Sequence, residues 1–198
     1  GHGYRWLGSP GEPNIIKYPP VFPMLLSFLW HFNADVPSNV FALKIVNALI
    51  TSLSLIAAYT YFRLMNIKHS IALLIILFIG THYAWLTYTT ELLSEPLFLF
   101  LTMSLLASVV YFDRQDKPLT AFQWFGLIVF SLLIFYTRTL GATLMFALGC
   151  WLWLRYGKKQ SFIFWGSCTL GVLPWFLWGK AQSQTFYEMA TQWVGPFN

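Results

Sequence analysis

The sequence is short of charge. Only 10% of its 198 residues are Asp, Glu, Lys or Arg, against roughly 25% in typical soluble domains. That is too little polar surface to cover a water-soluble globule of this size. Hydrophobic residues make up 57% and the mean hydropathy is +0.59, which excludes an ordinary soluble domain and leaves a polytopic membrane protein. Acid is scarcer than base, seven residues against twelve, for a net charge of +5. In a soluble chain that balance would suggest nucleic acid. Here the basic residues sit mostly in short turns between apolar runs, where they orient helices, and no nucleic-acid partner is expected. The two cysteines, Cys150 and Cys168, both lie in apolar stretches and lack the spacing of a metal site or redox pair, so packing is their expected job. The signatures GxSxG, HExxH and the nucleotide-binding P-loop are missing, as are internal repeats and low-complexity tracts. No charged segment followed by an apolar one marks a cleavable signal peptide, and the first residue is Gly. The chain is expected to be a piece of a longer membrane protein.

What the chain does contain is apolar runs near the roughly 20 residues that cross a bilayer as a helix. Six are expected to span, at about 38–62, 69–89, 93–112, 119–137, 139–156 and 160–179, giving an all-α polytopic transmembrane bundle. The connectors "RLMNIKH", "DRQDKP" and "RYGKKQ" hold Arg63, Lys68, Arg114, Lys117, Arg155, Lys158 and Lys159, seven of the twelve basic residues. The alternate connectors, around "TTELLSE", "TRT" and the tail after Gly179, carry little positive charge. The positive-inside bias makes the first set cytoplasmic and the second set external. Residues 1–37 then form an outer loop segment, and residues 180–198 open another. Within the first, "VFPMLLSFLWHF" at 21–32 is too short to span and carries a proline at its third position, so it is expected as an interfacial helix. Ten tryptophans cluster near span ends, as in an interfacial aromatic belt, with sugar stacking the alternative.

Of the seven acids, Asp113 and Asp116 fall in a cytoplasmic connector beside Arg114 and Lys117, as solvated turn residues. The other five, Glu12, Asp35, Glu91, Glu95 and Glu188, lie on the expected outer side. Glu91 and Glu95 come as a pair in "TTELLSEPLFLF". Pro96 favours a helix start, which holds Glu95 at the positive end of the helix dipole, with Ser94 placed to cap free amides. A carboxylate there can simply cap the helix, or it can bind a metal ion, hold a substrate hydroxyl or accept a proton.

The cations offer similar alternatives. Lys44 lies inside a span with Asn47 and Thr51 on much the same face; it faces a polar cavity or snorkels to the interface. Arg138 runs against the charge bias at the outer turn between two spans and calls for an anion: Glu91, Glu95 or a lipid phosphate. Lys17, held before the stiff pair Pro19–Pro20, is either an anion contact or an interfacial anchor. His82 has no second ligand at metal spacing and reads as a helix-packing residue more readily than as a metal ligand.

Taken in order, "KYPPVFPMLLSFLWHF", "ALKIVNALITSLSLIAAYTYF", "TTELLSEPLFLFLTMSLLASVVYF", "YTRTLGATLMFALGCWLWLRYGKK" and "GVLPWFLW" resemble bacterial polytopic glycosyltransferases that use lipid-phosphate sugar donors. This GT-C-like class includes protein mannosyltransferases and the aminoarabinose transferases of lipid A. The resemblance covers most of residues 14–179. It implies sugar transfer from a polyprenyl-phosphate donor to a glycan, lipid or protein acceptor at the outer face of the bacterial inner membrane. By position, Lys17 with Pro19 and Pro20 matches a segment linked to the lipid phosphate. Lys44 and Asn47 match a basic residue and an asparagine at the start of a span, Arg138 matches an arginine on the phosphate side, and Glu95 matches an acid of the active cavity. Glu91 joins Glu95 as the second candidate acid. The resemblance further implies that Glu95 positions the acceptor or a divalent ion such as Mg or Mn. Members of this class carry an acidic catalytic residue early in the first outer loop, here expected upstream of residue 1. A transporter or lipid-handling protein is the alternative from another class.

Overall fold

The computed structural model describes residues 19–32 and 38–193, with side chains described as far as Lys180, and every regular element among them is helical. Lys17, Glu12 and Asp35 lie outside the described residues, as does the side chain of Glu188.

The short helix α1, Val21–Trp30, occupies the run expected at 21–32. It buries Phe22 and leaves Met24, Phe28 and Trp30 exposed, and Phe32, just past its end, continues the four-residue interval of Met24 and Phe28 as an unburied apolar stripe. Helix α2, Ser38–Leu64, follows. Its buried stripe is Asn39, Leu43, Asn47, Thr51, Ser54 and Ala58, mostly small or polar residues three or four apart, the kind of surface that lets helices approach closely inside a membrane. It packs most extensively on α5, Glu95–Gln115.

Between them, the run expected as one span at 69–89 is broken. Helix α3, His69–Thr81, and helix α4, Tyr83–Thr90, meet at a 63° bend. His82 leaves the helix with ψ 139°, and its Nδ1 accepts from the Ala84 amide, so one side chain ends α3 and caps α4. Replacing His82 with Ala should speed amide exchange in the first turn of α4 about fivefold, the equivalent of one lost cap of about 1 kcal/mol. His82→Asn, which keeps an acceptor, should restore protection, and equal exchange in all three proteins would remove the cap from the account.

Helices α6, Ala121–Thr137, and α7, Gly141–Tyr156, are joined by Arg138, Thr139 and Leu140. At 17 and 16 residues and about 1.5 Å per residue they reach roughly 25 Å, short of the about 30 Å hydrocarbon core. Helix α8 runs from Lys158 to Trp193 through Pro174, so residues 180–193, expected in an outer loop, continue the helix. Among the described residues three helices, Ser38–Leu64, Glu95–Gln115 and Lys158–Lys180, are long and apolar enough to cross a membrane, and four if the bent α3–α4 pair is one span. Of the six expected spans, those at 38–62, 93–112 and 160–179 correspond to these three helices and the one at 69–89 to the bent pair.

The core lies among α5 to α8, around Leu105, Leu127, Ile134, Leu148, Leu152 and Phe164. Close contacts at glycines tighten it. A Cβ on Gly149 would fall within 1.8 Å of Nε1 of Trp165, and one on Gly171 within 2.7 Å of the Leu132 side chain. Two hydrogen bonds from side chains to helix carbonyls add to the packing: Ser161 Oγ donates to Gly149 O at 2.8 Å and Tyr136 Oη to Gly171 O at 2.7 Å.

Polar links tie the three basic connectors into one end of the bundle. Arg114 Nη2 donates to Asn66 Oδ1 at 2.7 Å. Arg155 pairs with Asp113 at 3.1 Å and with Asp116 at 2.5 Å. The two aspartates, expected as solvated turn residues beside Arg114 and Lys117, are exposed but have Arg155 as their partner. Lys158 sits over the Trp153 ring, 5.5 Å from its centroid.

Candidate functional site

At the opposite end of α5, the chain brings Glu95 and Arg138 together. Thr90 ends α4, residues 91–94 form a short turn, and α5 begins at Glu95 with Pro96 in its first turn, one residue earlier than expected. Ser94 occupies the N-cap position, but with φ −77° and ψ −13° it makes no side-chain cap bond. The expected capping role of Ser94 is therefore not realised, because a capping side chain needs the extended backbone that turns its oxygen toward the free amides. Acidic charge at the first helical position falls to Glu95, favourable at the dipole's positive end.

The α6–α7 turn delivers the counter-charge. Arg138 departs from α6 in an extended conformation, φ −150° and ψ 133°, with its amide still bonded to Ile134 O. Its carbonyl accepts from the Gly141 amide at 2.9 Å, closing the turn into α7. The guanidinium Nη1 then lies 2.7 Å from Glu95 Oε1, with the Arg138 side chain 41% and that of Glu95 27% exposed. Of the partners open to Arg138, the structure pairs it with Glu95. Only one guanidinium nitrogen is engaged in this ion pair, and a guanidinium carries five donors in a planar fork.

Asn47 enters from α2 and meets the backbone of this turn. Its Nδ2 donates to Tyr88 O at 2.6 Å and to Glu91 O at 2.7 Å. Both carbonyls belong to the end of α4, where no further helical amide follows to satisfy them. The Asn47 side chain is buried, and its Oδ1 has no hydrogen-bond partner. Thr51, one turn along, donates to Asn47 O at 2.8 Å.

The other candidates are placed differently. Lys44 is exposed while Asn47 and Thr51 are buried, so the expected common face splits: three residues of helix rotate Lys44 to the rim of the stripe that α5 covers. Glu91 contributes its carbonyl to Asn47, and as a residue it is exposed. Among the described residues no three of His, Cys, Asp and Glu come together as metal ligands, and the charge beside Glu95 is already a cation. Among the described residues the one carboxylate here is already paired with a cation, and no step below passes through a metal.

Sequence reasoning named Glu95 among three partners for Arg138 without choosing between them, and it missed the bracket made by Asn47. The signal available for the bracket was a polar stripe at four-residue spacing facing a proline-started helix. The chain matches no protein family, no curated protein and no solved structure.

Proposed function

We propose that this chain is part of a multi-pass membrane glycosyltransferase. In this reading it moves a sugar from a polyprenyl-phosphate donor to a glycan, lipid or protein acceptor at the outer face of the bacterial inner membrane. The observation that carries the reading is the Glu95–Arg138 ion pair, set at the other end of α5 from the cluster of basic connectors. By the charge bias, the basic end is cytoplasmic and the ion pair external. The interfacial placement of α1 follows, with its stripe of Met24, Phe28 and Phe32 turned to lipid. The GT-C-like bundle and its six crossings belong to the same proposal, with short α6 and α7 accommodated by local thinning of the bilayer.

The chemistry is an inverting displacement at the anomeric carbon. The acceptor hydroxyl oxygen forms the new bond, its proton passes to a carboxylate, and the bond from sugar to lipid phosphate breaks with its electron pair going to the phosphate. A phosphate leaves without a proton donor, so cationic stabilisation matters more than general acid help. Arg138 supplies that charge through the donors that Glu95 does not use, Lys17 adds to it, and Glu95 orients the acceptor. In this reading an outer-loop carboxylate acts as the general base.

The test is sugar transfer in membranes from a labelled polyprenyl-phosphate donor, using the full-length protein. Glu95→Gln should lower kcat and Lys17→Ala should raise the donor KM, each by roughly tenfold or more. Undiminished transfer by both variants would take them out of the site. A transport or lipid-handling reading has one observation in its favour, the 63° break at His82, because broken helices line translocation paths. Flux of a lipid-linked substrate without sugar transfer would select it.

A further inference from the structure

We infer that Asn47 is a positioning residue, which fixes the α4–α5 turn so that Glu95 is presented to Arg138, and is not a ligand of the donor phosphate. The inference rests on the transferase reading for its kinetic consequence, though not for its structural one.

The amide of Asn47 has no hydrogen left to offer a ligand. Both Nδ2 hydrogens are committed, to Tyr88 O and Glu91 O. The side-chain orientation follows from the chemistry of its neighbours: turned over, Oδ1 would face two carbonyl oxygens at 2.6 and 2.7 Å, an arrangement of acceptors alone. In the orientation adopted, Oδ1 is buried and unpartnered. An apolar side chain with the same branching, such as leucine, would carry no such penalty, so a residue chosen for packing alone would not be an asparagine. What asparagine supplies is two donors at one point, where two carbonyls converge.

The bracket also reaches the site. Glu91 O accepts from Asn47 and from the Leu93 amide at 3.1 Å, so both of its lone pairs are used and residues 91–93 are held on α2. Two residues later the chain enters α5, whose buried Pro96 lies against the bundle. Glu95 therefore stands between two fixed points, the carbonyl held by Asn47 and the packed proline. With the amide removed, Glu91 O would keep only the Leu93 amide and Tyr88 O only the long contact from Thr51 Oγ1 at 3.5 Å, and the turn would move to let water replace the lost donors.

The test uses spin labels at Leu92→Cys and Thr139→Cys, with Cys150 and Cys168 replaced, so that Glu95 and Arg138 stay intact. The parent should give one narrow distance distribution. Asn47→Leu should roughly double its width or add a second population, because the turn samples more than one arrangement. Asn47→Ser, which keeps one donor, should fall between and serves if the leucine variant does not fold. An unchanged distribution in a folded variant overturns the inference. In the transfer assay Asn47→Leu should lower kcat about tenfold with the donor KM within about twofold. A raised donor KM with an unchanged distribution would return Asn47 to the phosphate. Absence of transfer by the parent protein would defeat the transferase reading, and the distance measurement would still decide the bracket.

Discussion

On the proposed transferase reading, reversing the charge of Arg138 is expected to reduce sugar transfer by roughly two to three orders of magnitude, the usual loss when one preorganised stabiliser of a developing oxyanion is removed. The Arg138→Glu variant places a carboxylate against Glu95 Oε1, where the guanidinium stands at 2.7 Å. Like charges at that distance repel, and both groups are partly exposed, so the pair can separate into water without unfolding the bundle. The informative protein is the swap, Glu95→Arg with Arg138→Glu. If the pair only ties α5 to the α6–α7 turn, the swap restores stability and transfer together. If Arg138 also faces the departing phosphate, the swap restores stability alone, because the cation now projects from the start of α5 and the carboxylate occupies the place of the phosphate contact. Thermal midpoints in detergent and transfer rates, taken on the two single variants and the swap, form a double-mutant cycle that separates the two roles. A swap with full transfer would reduce Arg138 to a structural tie.

How much of this arrangement was legible in the sequence depends on what kind of force sets each part. Helices α2 and α5 announce themselves, because hydropathy over about twenty residues and a proline at a helix start are both local signals. The three basic connectors likewise predict their common end, and the contacts from Arg114 to Asn66 and from Arg155 to Asp113 bring them together there. The break at His82 was hidden, since one residue leaving the helix changes no average and the flanking run stays apolar on both sides. Lys44 was grouped with Asn47 by helical spacing. Which member of such a group is buried depends on where α5 crosses α2, a tertiary fact that periodicity does not contain. Charge logic reduced the partners of Arg138 to three, Glu91, Glu95 and a lipid phosphate. Choosing Glu95 required the turn geometry, which Asn47 and Gly141 set from opposite sides.

Gly141 is where fold and site depend on a single hydrogen atom. It opens α7 directly after the Arg138 turn, and a Cβ there would lie 2.7 Å from the Phe135 amide nitrogen and 2.9 Å from the Ile134 carbonyl carbon. Both opposing atoms are backbone in the last turns of a helix whose Ile134 and Phe135 are core residues, so neither can rotate away as a side chain could. The same glycine donates its amide to Arg138 O at 2.9 Å, so the strain falls on the bond that closes the turn. Gly141→Ala should therefore destabilise by about 2–3 kcal/mol, the upper part of the range for overpacking, and lower the thermal midpoint in detergent by roughly 5–10 °C. Relief comes from opening the α6–α7 turn, which carries Arg138 away from Glu95. Transfer by the folded fraction should fall about tenfold even below the new midpoint, since an ångström of misplacement in a site is worth that much or more. Gly126→Ala is the comparison, because a Cβ at Gly126 meets no atom within 4 Å; it should leave both the midpoint and the transfer rate of the parent protein in place. If Gly141→Ala behaves like Gly126→Ala, the close approach of α7 to α6 is not what holds Arg138 in position.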